Sequence, residues 1–157
     1  MEGLLSSSIA PDLAILILLT SVFIIYGIME GSGILVSTII AAPIAGLLYL
    51  IFPYHAELLA VMPSGLAAWV PLLLFGIFIW FTLWIQHRTV GIARGSGRPF
   101  YVVVVSTLLA LLLISFTYHI VPIDSLYSFS STFDTLFEST TSLFWILIIA
   151  LFALFVA

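Results

Sequence analysis

The chain has 157 residues, of which 64% are apolar and only 6% charged, and its mean hydropathy is +1.38. So little charge cannot cover a water-soluble surface, and the length holds four or five spans of about 20 residues with no separate soluble domain. A formal net charge of −4, with three arginines and no lysine, excludes a nucleic-acid partner, and the absence of cysteine excludes disulfides, thiolate metal sites and cysteine nucleophiles.

Residues 1–10 read as a short polar lead that lacks the positive segment of a secretory signal. Pro11 and Asp12 fit the first turn of a helix, and a first span is predicted over about 12–29. Its end, Gly27-Ile28-Met29-Glu30-Gly31-Ser32-Gly33, reads as a tight connection. Gly27 and Gly31 form a GxxxG pair, and Gly31 and Gly33 supply backbone freedom for a reversal. A second span over about 33–52 is lined with small side chains. Gly33, Ser37, Ala41 and Ala45 stack at i, i+4 on one stripe, with Thr38, Ala42 and Gly46 beside them. Small stripes let backbones approach closely where lipid removes the hydrophobic drive between helices, so this segment is expected to be the central helix. Pro43 is expected to kink it and free a carbonyl near Ile39, with Ser37 and Thr38 hydroxyls available to the local backbone.

Residues 53–65, PYHAELLAVMPSG, read as an interfacial or re-entrant turn. The third span is predicted over about 66–85, with Pro71 in its early turns and Trp69 and Trp84 at the two interfaces. All three arginines, Arg88, Arg94 and Arg98, fall in the connection 86–99, which the positive-inside rule assigns to the cytoplasm. Counting spans then puts the Glu30 turn on the same side, and His55, Glu57 and the N-terminus outside. The fourth span is predicted over about 100–121, anchored by Tyr101 and Tyr118, with Ser106 and Ala110 as another small pair. Beyond it, Leu126, Phe129, Phe133, Leu136 and Phe137 recur at i, i+3, i+4 spacing, opposite Asp134 and Glu138. That pattern predicts an amphipathic interfacial helix over about 125–140, capped by Asp124 or Ser125. The apolar segment 143–157 makes about 22 Å of helix against a hydrocarbon core of about 30 Å. It spans only if it starts earlier, near Thr140. The expected fold is an all-α polytopic membrane bundle, a single domain over 1–157, in the inner (plasma) membrane.

This arrangement resembles the colicin V production protein (CvpA-like) family. The likeness lies in a first span ending in a Gly-containing turn, Tyr26-Gly27-Ile28-Met29-Glu30-Gly31, and in the small-residue second span SGILVSTIIAAPIAGLLYLIFPY. A third span that ends in the basic loop WIQHRTVGIARGSGR, then a fourth span and a terminal segment outside, completes it. Met29 and Glu30 stand where the family's turn is usually basic. The resemblance implies an inner-membrane protein of envelope physiology and toxin production or export, and it carries over no catalytic residue.

Candidate sites follow from the few polar groups. Glu30 sits at a predicted membrane edge, where a carboxylate is either functional or a solvated turn residue. His55, Glu57, His119 and Asp124 share the outer side. Together they would form a proton or ion path or a divalent-metal site; singly they are interfacial polar residues. Arg94-Gly95-Ser96-Gly97-Arg98 before a helix start suits a lipid headgroup phosphate, with topology determination as the plainer role, and lacks the Lys-Ser/Thr ending of a P-loop. Ser32 and Ser96 lie in GSG turns on the face opposite the outer histidines, and His87 has no orienting carboxylate beside it, so serine hydrolysis is not expected. No cofactor is implied. The leading expectation is a non-enzymatic protein acting through helix association in the lipid bilayer, as a homo-oligomer or with a membrane-protein partner, one small-residue stripe facing the neighbour. Its rivals are a small transporter or channel using Pro43, Glu30, His55 and His119, and an accessory subunit of a larger membrane complex.

Overall fold

The computed structural model describes residues 2–63, 67, 69–89, 99–121 and 129–154, with side chains from Ile9 onward. Every element in these residues is helical: α1 Glu2–Glu30, α2 Ser32–Ile51, α3 His55–Val61, α4 Val70–Thr89, α5 Pro99–Ile120, α6 Ser131–Phe137 and α7 Thr140–Ala153. Helices close their own backbone hydrogen bonds, which is what a chain in hydrocarbon requires. Four stretches are long and apolar enough to cross a bilayer: Ile9–Glu30, Ser32–Ile51, Val70–Thr89 and Pro99–Ile120. The pair α6 and α7 forms a fifth candidate, bent by 66° at its break.

Helix α5, and not α2, occupies the centre. It packs on α1, α2, α4, α6 and α7, and 44% of its span is buried against 33% for α2. Small and large residues alternate around α5: Val102, Val105, Ser106, Leu109, Ala110 and Leu112 are all enclosed. The outward side of α2 instead carries exposed Ile40, Ile44, Leu47 and Leu50. Leu35 and Ile39 of α2 meet Leu109 and Leu112 of α5 in one core, all four at most 1% exposed. With lipid as the alternative surroundings, such contacts hold through close packing and dispersion.

Several helix ends differ from the sequence reading. Helix α1 begins at Glu2, so residues 2–10 are helical and Pro11 lies inside the helix. Pro11 lacks one amide donor, and the helix continues through it. The reversal after α1 needs one residue: Gly31 has φ 94° and ψ 156°, the only positive φ among the described residues. Gly33 is already inside α2, so its backbone freedom is unused. Helix α2 runs unbroken through Pro43, and the Thr38 hydroxyl donates to the Ile34 carbonyl at 2.8 Å rather than to the freed one. The 53–65 connection holds the short helix α3, and α4 starts and ends four residues later than the predicted third span.

The expected interfacial helix 125–140 also differs. Its described part is the seven-residue α6, capped at Ser130, while Asp124 and Ser125 lie outside the described residues. Its aromatic face turns onto its own bundle. Phe133 and Phe137 are each 4% exposed, and the Tyr118 ring lies 5.8 Å from Phe137. Helix α7 does start at Thr140.

Candidate functional site

Among the described residues the charged side chains separate between the two ends of the bundle. Asp12, Glu57, Asp134 and Glu138 lie at the end where α1 and α4 begin; Glu30 and Arg88 lie at the other. Glu30 is exposed beside Gly31, as an edge carboxylate reaching water would be. Arg88 places its guanidinium 5.1 Å from the centre of the exposed Trp84 ring, a cation–π contact that suits a helix end leaving the membrane. Arg94, Arg98 and the Gly-Ser-Gly turn between them lie outside the described residues.

At the acidic end the structure does not gather His55, Glu57 and His119 into one centre. Among the described residues, no three metal-ligating side chains lie together. His119 is exposed and its Nδ1–H donates to the Ser115 carbonyl at 2.8 Å. The Nδ1–H of His55 donates to the Phe52 carbonyl at 2.7 Å, and its ring packs edge-on against Tyr49 at 4.4 Å. A carbonyl only accepts, so both rings carry their proton on Nδ1. His55 Nε2 is buried without a hydrogen-bond partner. It borders a cavity of about 10 Å³ shared by Tyr49, Val70 and Pro71, roughly the room of one water. Glu57 is exposed and lines an open groove of about 470 Å³ with Phe52, Tyr54, Leu58, Val61 and Met62. Asp124 lies outside the described residues.

The group that sequence reading treated only as a helix-start residue is the one the fold encloses. Asp12 is 1% exposed. Its Oδ2 accepts the backbone N–H of Ser130 at 2.9 Å, so a carboxylate from α1 serves the first turn of α6, 118 residues away. Asp12 Oδ1 and Ser130 Oγ are both buried without a hydrogen-bond partner. On the same short helix, Asp134 Oδ1 accepts from Tyr118 Oη at 3.1 Å. A carboxylate in the first turn of an apolar span was the available signal, since ionisable groups at such depth are costly. The 118-residue separation hid its partner.

The small-residue stripes are spent inside the chain. Ala41, Ala42 and Ala45 are each 0% exposed. Gly46 lies against Phe116, and Gly27 against Leu35 and Val102, so close that a methyl on either would collide. Gly31 turns the chain outside α1, so it does not pair with Gly27 as a packing motif. Gly33 and Ser37 are half-buried. Side chains with no free surface have none to offer a second copy, which revises the expectation that one stripe faces a neighbour. Ser106 and Ser115 of α5 are also fully enclosed, with hydroxyls that find no partner. No family model matches this sequence, and neither a curated protein nor a solved structure matches it significantly.

Proposed function

We propose that this integral membrane protein works without catalysis, by lateral association with a second copy or another membrane protein. One observation on α4 supports that reading. Trp80 stands at the midpoint of the span Val70–Thr89 and is 66% exposed. Tryptophan ordinarily sits at membrane interfaces, where its N–H meets polar groups. One turn earlier on α4, Gly76 faces open space, with nothing within 4 Å of where its Cβ would stand. A bulky ring beside a notch is the shape pairing that helices use in lipid. The basic end of the bundle faces the cytoplasm of the inner (plasma) membrane in this reading, and the topological resemblance to the colicin V production family favours a role in envelope physiology. The test is energy transfer between differently labelled copies in native-composition vesicles, with mild-detergent co-purification for other partners. Trp80→Ala and Gly76→Leu should each lower association while helicity stays constant. Unchanged association in both variants ends the proposal.

A second reading, a small transporter or channel, draws support from Asp12 rather than from Glu30. Enclosed carboxylates in spans commonly mark ion pathways. A flux assay in proteoliposomes decides it: native flux abolished by Asp12→Asn and retained by Glu30→Gln supports transport, and no native flux removes it.

A further inference from the structure

We infer that the junction of α1 with the first turn of α6 binds a monovalent cation, held by Asp12 Oδ1 and Ser130 Oγ. Asp12 is 1% exposed and receives one hydrogen bond, from the Ser130 N–H at 2.9 Å. That bond leaves Oδ1 buried and unpartnered, and it brings up a second buried, unpartnered oxygen on the same Ser130. Two unpartnered oxygens, one a carboxylate acceptor and one a hydroxyl, thus sit on residues joined by a 2.9 Å contact, and a buried carboxylate oxygen is best met by a positive group or a hydrogen-bond donor.

Among the described residues no basic side chain fills it: Arg88 lies at the opposite end of the bundle, and the sequence has no lysine. An enclosed carboxylate without a counter-charge is among the costliest arrangements in a protein interior. Glu57, Asp134 and Glu138 at the same end add to the negative field that draws cations there. The site holds one carboxylate, so one positive charge balances it. Calcium sites commonly gather several carboxylates, whereas this one has a single carboxylate. Asp134, one helical turn on from Ser130, has its Oδ1 engaged by Tyr118 at 3.1 Å. The occupant proposed is sodium or an ion of similar size. By joining α1 to α6 it would favour the folded end of the bundle over the open one.

The experiment is thermal unfolding of the full chain in mild detergent, at fixed pH and ionic strength, with sodium exchanged for potassium or choline. The native protein should melt higher in sodium than in choline, with a saturable dependence on sodium. Asp12→Asn keeps the shape and removes the charge, and should melt alike in all three salts. Ser130→Ala keeps the backbone N–H, so it should fold and need several-fold more sodium for the same shift. Equal melting of the native protein in sodium and choline overturns the inference. So does an undiminished sodium response in Asp12→Asn, or a melting point that follows pH but not sodium, which would assign a proton. If Asp12→Asn fails to fold, Ser130→Ala decides alone: an unchanged sodium requirement overturns the site.

Discussion

Gly46 of α2 lies against one side of the Phe116 ring of α5: a methyl at Gly46 would stand 2.7 Å from Phe116 Cε1. Phe116 is itself wedged against Phe75 of α4, ring centres 5.8 Å apart, so three helices meet at this glycine. The ring has little room to retreat. Gly46→Ala should therefore destabilise the bundle by about 1–2 kcal/mol, the cost typical of overpacking. Gly76→Ala adds the same methyl to α4 where nothing stands within 4 Å, and should be neutral or stabilise by up to about 1 kcal/mol through helix propensity. Unfolding titrations in mixed micelles compare the two.

Ala41→Leu and Ala45→Leu should disrupt the monomer before any assembly. Both positions are fully enclosed within one chain, so the added side chain must displace α2 from its neighbours. Lower melting temperature and lost protease resistance at concentrations where the protein is monomeric are the expected results.

Gly31 holds φ 94° and ψ 156°, backbone space that is essentially glycine-only. Gly31→Ala should cost about 1–3 kcal/mol. Gly33→Ala, two residues on and inside α2, should have little effect or stabilise slightly. Folding yield in liposomes and thermal melts of the pair check this.

Tyr118→Phe removes the hydroxyl that donates to Asp134 Oδ1 and leaves the ring stack with Phe129 and Phe137 in place. The loss should be about 1 kcal/mol and local, because Tyr118 ties α6 to the end of α5. Faster amide exchange confined to 129–138, with unchanged exchange in α2 and the middle of α5, is the expected pattern.

Four spans and an all-helical membrane fold were legible in the residues alone, because hydropathy is counted locally and needs no knowledge of neighbours. The one-residue turn at Gly31 and the Thr140 start of α7 were close to legible for the same reason: both follow from short-range backbone chemistry. What encloses what was decided only by tertiary structure. In a soluble helix the apolar stripe marks the inside, but a helix in lipid is apolar on every side, so its pattern does not tell α5 from α2 as the central element. Shape decides instead, as when Gly46 admits Phe116 and Gly27 admits Leu35. Asp12 is the sharpest case. Its sequence neighbours suit a helix start, and only the return of Ser130 across 118 residues turns it into a buried carboxylate with one unpartnered oxygen.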